Sequence, residues 1–157
     1  MSVIAVVRIR GRMHMKPGIA ATLDNMGLTR KNYCILLSES ENNKGILQKV
    51  KDYVSWGITD EKMILSLLTE RGRTAGQKRL TDEYVKQNSK HKDLKSLAKS
   101  LASSEAKISD VEGMKRVFRL NPPKKGFERK GIKVPYSLGG VLGNRADKIN
   151  QLLERMI

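Results

Sequence analysis

Three arginines stand two apart near the start of the chain, Arg8, Arg10 and Arg12, behind an apolar run that begins at Val3. In a strand, alternate side chains point to opposite faces. The pattern predicts Val3, Ala5, Val7 and Ile9 on one face and Ile4, Val6, Arg8 and Arg10 on the other, with Arg12 carrying the row into a loop. Residues two apart on a strand lie about 6.6–6.8 Å from each other. A row of planar guanidinium forks at that spacing suits a row of phosphates. His14 and Lys16 follow, and no acid interrupts Arg8 to Lys16. The segment is the first candidate surface for a nucleic-acid backbone. Its alternative is a solvated basic edge, because cations also guard exposed strand edges.

Other basic groups join it. Arg30 and Lys31 occupy the turn before a second apolar run. The stretch RGRTAGQKR puts Arg71, Arg73, Lys78 and Arg79 on a glycine-flanked loop of nine residues without an acid. Glycines there let backbone N–H groups approach phosphates; the competing reading is a helix C-terminus that simply favours cations. Further on, Arg119, Lys124, Lys125, Arg129, Lys130 and Lys133 lie among prolines and glycines. Such segments have little core of their own and are commonly ordered by RNA, unless they are plain flexible linkers. Arg145 completes the candidate RNA-binding set.

The remaining motifs are weaker. GGVLG at Gly139–Gly143 lacks the spacing and the Lys-Ser/Thr ending of a phosphate loop, so it reads as a turn. Trp56 could stack on a base, but a core position fits it better. Two histidines and a single cysteine, Cys34, make no catalytic or metal constellation and no disulfide framework. No cofactor is implied.

The chain of 157 residues carries a net charge of +15. Such a charge predicts a polyanionic partner. It is unevenly spread: residues 1–59 hold +5, residues 60–112 hold +2 and residues 113–157 hold +8. If the two ends form one body, that body is the main nucleic-acid surface. No apolar run approaches the ~18 residues of a membrane span, and no signal peptide is visible. No membrane partner is expected, and the expected location is cytoplasmic.

Elements must position these groups. Strand patterns cover Val3–Arg10, Tyr33–Leu37 and Val54–Ile58. Pro17 opens a helix with Ile19, Leu23 and Met26 on one stripe and Gly27 as its stop. A second helix, capped by Asn43, turns Ile46, Leu47, Val50 and Val54 inward. Residues 3–58 therefore read β-α-β-α-β. Residues 59–112 become helical: Thr59 caps one helix, Thr81 another, and Leu94, Leu97, Ala98 and Leu101 face a third inward. From Met114 the chain is extended and turn-rich, with a strand at Val117–Leu120 and a final helix from about Arg145, capped by Asn144. The fold class is α+β, divided at 1–58, 59–112 and 113–157.

The segments VIAVVRIRG, GLTRKN, KGILQKVKDYVSWG, RGRTAGQKRLTDEY and FRLNPPKKGFERKGIKVPYSLGGVLGNRADKINQLLERM occur in this order. In order and spacing they resemble the archaeal form of the large-subunit ribosomal protein L-thirty family, whose eukaryotic relatives are called L-seven. The resemblance covers essentially the whole chain. It implies a small ferredoxin-like core, a helical insertion and an extended C-terminal segment ending in a helix. It also implies a structural constituent of the ribosome with no enzymatic activity and no small-molecule substrate. The implied partners are the large (23S-type) rRNA, a nearby 5S rRNA and other large-subunit ribosomal proteins. Two other readings stand beside it: a free tRNA or chromatin factor, and an enzyme or ligand-binding regulator, since this fold hosts many functions.

Overall fold

Val3–Val7 is apolar at every position because both faces of its strand are covered. In the computed structural model, which describes residues 2–157, every residue of β1 (Val3–Arg8) is buried. Strands covered on both faces read as continuous apolar runs rather than alternating ones. Its neighbours are β2 (Tyr33–Ser38) and β3 (Val54–Ile58), both antiparallel to it. Two short strands from the C-terminal segment close the edges: β4 (Phe118–Arg119) pairs antiparallel with β2, and β5 (Gly143–Asn144) pairs parallel with β3. The single sheet has the order β4-β2-β1-β3-β5. The expected α+β class is the one observed.

The alternation along β1 sorts the core into two layers. Ile4 and Val6 pack with Leu23 of α1 (Pro17–Asn25) and with Leu47 and Val50 of α2 (Glu41–Val50), together with Trp56. Val3, Ala5, Val7 and Ile9 face the other layer. That layer holds α3 (Glu61–Ser66), α4 (Asp82–Asn88), α5 (Leu94–Ala102) and α6 (Ile149–Met156). An eight-residue helix such as α6 is marginal alone. Ile149, Leu152, Leu153 and Met156 are all fully buried, and each contributes about 1.5–3 kcal/mol of transfer free energy.

Several boundaries differ from the sequence reading, each for a local reason. β1 stops at Arg8 because the N–H groups of Ile9 and Arg10 both donate to the Tyr53 carbonyl, at 2.9 and 3.2 Å. Two residues there oppose one, as in a bulge, and the regular ladder ends. Ser40, not Asn43, caps α2: its hydroxyl accepts from the Asn43 N–H, while the Asn43 amide donates to the Ser38 carbonyl. Asp60 takes the cap position of α3 and Thr59 is buried beside it; α3 then widens into a π-helical turn over Leu67–Arg71. Ile46 stays exposed rather than facing the core. β4 is shorter than Val117–Leu120, and the last helix enters through a 3-10 turn at Ala146–Lys148. The Asn144 side chain accepts from the Ala146 N–H at that turn.

Small residues on the inner face of β3 let α6 approach. Ser55 is buried, and a Cβ at Gly57 would collide with the Ala146 carbonyl and lie 3.0 Å from the Ile149 Cβ. Gly57→Ala should therefore push α6 off the sheet and cost about 1–3 kcal/mol, read as a lower Tm and a lower denaturant midpoint. An unchanged Tm would show that the α6 contact is looser than described.

Candidate nucleic-acid interface

The pairing directions gather the basic segments. β1 ends, β2 and β3 begin, β4 ends and β5 begins at the same end of the sheet. Arg10, Arg12, His14 and Lys16 follow β1; Arg30 and Lys31 precede β2; Lys124, Lys125, Arg129, Lys130 and Lys133 lie between β4 and β5. Chain segments more than a hundred residues apart thus leave the sheet on one side. Arg12, His14, Lys16, Arg30, Lys31 and the five cations of Lys124–Lys133 are exposed. The loop at Arg71–Arg79 is tied in differently. Arg71 donates to the Ile157 carbonyl at 2.6 Å. Asn121 and Lys124 donate their N–H groups to Met156 and Arg155 carbonyls at 2.9 and 2.8 Å. The last turn of α6 thereby joins that loop to the second basic segment. Within it Arg73 bridges Arg79 across the strand-like arms and donates to the Gly72 carbonyl, while Lys78 and Arg79 are exposed.

The arginine row behaves otherwise than as a row. Arg8 is 1% exposed; its guanidinium donates to the Leu28 and Arg10 carbonyls. Burial pulls its pKa downward, against the charge of Asp24, which raises it. Arg10 lies over the Tyr53 ring, 5.0 Å from its centroid, and donates to the Asp52 carbonyl. Arg12 pairs with Asp24 at 2.9 Å but is well exposed, so the bond is easily exchanged for another anion. All three reach toward the α1/α2 side of the sheet, through Leu28, Tyr53 and Asp24, and they differ in depth. Arg119 is exposed and lies over Tyr33, 5.8 Å from its centroid.

Arg145 is the other inward arginine. It is buried and bonded to both oxygens of Glu128, at 2.7 and 2.6 Å, and its Nε donates to Ser55 Oγ at 2.8 Å. The Tyr136 ring covers it, with the centroid 4.5 Å away. Burial would raise the Glu128 pKa, but the Arg145 hydrogen bonds and charge, with Arg155 beside it, hold the carboxyl below its usual range. The expectation that Arg8 and Arg145 face phosphate therefore meets two guanidiniums already satisfied inside the chain. Sequence reasoning missed Glu128 and the three tyrosines. Glu128 did leave a signal, as one of only three acids after residue 112 and set within the basic run.

Cys34 is fully buried and its thiol is pushed up to about 12 by desolvation, so it is no nucleophile. Among the described residues no group of His, Cys, Asp or Glu could hold a metal, and no helix is long and apolar enough to cross a membrane.

Removing Glu128 strands a buried charge, so Glu128→Ala should cost about 3–5 kcal/mol, whereas Glu128→Leu with Arg145→Met should recover most of it. A carboxyl with a lowered folded-state pKa stabilises above its unfolded value of about 4.3. The Tm gap between the wild type and Glu128→Gln should be full at neutral pH and close as pH falls through that lower folded value. A gap independent of pH would overturn this account.

Residues 4–54 match the family described as ribosomal protein L30p/L7e. The chain is 46% identical over 153 residues to large ribosomal subunit protein uL30 of Methanosphaera stadtmanae, covering 98% of this chain and 99% of that one. It is 41% identical over 149 residues to the protein of that name from Methanopyrus kandleri, covering 95% and 100%. The uL30 of Nanoarchaeum equitans is 41% identical over 157 residues and covers all of both chains.

Proposed function

We propose that this chain, which belongs to the ribosomal protein L30p/L7e family, is a structural constituent of the large ribosomal subunit that binds rRNA through its basic loops. The observation that carries the reading is the gathering of Arg10–Lys16, Arg30–Lys31 and Lys124–Lys133 at one end of the sheet. The exposed cations neutralise phosphates and release counterions. Base edges need not be read, because structured RNA is recognised largely by shape and backbone. The partners are the large 23S-type rRNA, 5S rRNA nearby and other large-subunit proteins, in the cytoplasm. The role is one of binding, with no chemical step.

Within the candidate set the arginines divide the work. Arg12, Lys16, Arg30, Lys31, Lys78, Arg79 and the Lys124–Lys133 cations contact phosphate, while Arg8 and Arg145 hold the loops that carry them. Arg71 and Arg73 brace the loop beside α6.

Each lost phosphate contact should lower the slope of log affinity against log salt by about 0.7–0.9. Replacing Arg12, Arg30 and Lys31 by Gln should flatten that slope for an rRNA fragment. Arg8→Met should leave the slope alone and instead cost about 1–3 kcal/mol of stability, since it leaves buried carbonyls unpaired. An unchanged slope in the triple variant sinks the role assigned to this surface. Sedimentation of native extract tests the wider reading: a ribosomal protein stays with large subunits through a moderate salt wash, and a free tRNA or chromatin factor does not.

A further inference from the structure

β4 pairs with β2 only at Tyr33 and Cys34. Before Phe118 the chain turns away, because Lys115 donates its N–H to the Arg73 carbonyl at 2.9 Å and Met114 bridges to Thr74. The strand that would continue β4 along β2 is therefore missing, although β1 covers the opposite edge of the same residues. At the far end, the Asn43 amide already takes the Ser38 carbonyl at 2.8 Å. The open stretch is Ile35–Leu37, roughly 10 Å long at the rise of a strand.

A cavity of about 460 Å³ lies beside it, lined by Leu36, Leu37, Leu101 and Ile108 and by the exposed Lys107 and Arg116. Neither cation makes an ion pair among the described residues, and no carboxylate lines the cavity. An apolar edge with no Lys or Pro of its own invites pairing.

We infer that this notch accepts an extended, acidic segment of another protein, which adds a strand along Ile35–Leu37 and sets its carboxylates on Lys107 and Arg116. The edge of a strand presents N–H and C=O groups in turn. An RNA backbone offers mostly acceptors there and would leave the strand carbonyls unmet. A peptide supplies both partners, and its alternate apolar side chains meet Leu36, Leu101 and Ile108 on one face, the face opposite Leu37.

The test uses the free full-length chain, labelled for amide-detected NMR, and a capped hexapeptide of alternating Val and Glu. Saturable shifts of the Leu36 amide are expected. Affinity should fall about tenfold in Lys107→Ala with Arg116→Ala, two surface changes that leave the core intact. The same peptide with its alternate backbone nitrogens methylated should not bind, a control that leaves the protein untouched. Binding by the methylated peptide, no shift at millimolar peptide, or an equal Leu36 response to hexauridine would each overturn the inference. No ribosomal component enters the assay, so its failure leaves the proposed function standing, and the failure of that function leaves this test unaffected.

Discussion

The burial of β1 on both faces is the constraint from which the rest of the architecture follows. A strand with Ile4 and Val6 on one side and Val3, Ala5 and Val7 on the other must be roofed twice. The two helices of the first sixty residues cover one side only. The second roof has to come from elsewhere, and it is assembled from α3, α4, α5 and α6. The central helices and the C-terminal helix are thus completions of a core begun by five residues of β1. They share their hydrophobic layer with it.

That dependence was partly legible in the residues. Continuous apolar character in Val3–Val7, the stripe Ile149, Leu152, Leu153 and Met156, and Leu94, Leu97, Ala98 and Leu101 each marked a buried face, because burial writes a period into a sequence. Caps were harder. Ser40 and Asp60 lie one to three residues from the equally plausible Asn43 and Thr59, and only the backbone geometry chooses among such neighbours. The spread of the charge foretold which segments stand together, since the ends that hold most of it do share one sheet. The direction in which individual arginines point was not legible. It hangs on partners distant in sequence, the Leu28 carbonyl for Arg8 and Ser55 for Arg145, and no local pattern announces them.

Arginine serves two purposes in this chain, and the difference lies in what the fork meets. Arg8 and Arg145 meet carbonyls and a carboxylate in a dry setting, where fixed geometry matters most. Arg145 binds Ser55 of β3, Glu128 of the long loop and the Val141 carbonyl at once, so it locks the arm before β5 onto the sheet. Arg8 likewise ties Leu28, just before Arg30 and Lys31, to the end of β1. The extended basic loops thereby gain some of the rigidity of the sheet.

The edges of the sheet carry a consequence for the order in which the chain matures. β2 and β3 are made early, yet their outer edges are closed by residues 118–119 and 143–144. During synthesis from the N-terminus, a β-α-β-α-β unit ending at Ile58 keeps two bare edges until residues 118–119 and 143–144 are made, and its second apolar face is fully roofed only when α6 follows. Bare edges and bare apolar faces are what nascent chains aggregate through, and pairings this far apart in sequence form slowly. For a strongly cationic chain, like-charge repulsion between copies offers protection during that interval. The charge of +15 would then guard the unfinished protein as well as serve the finished one.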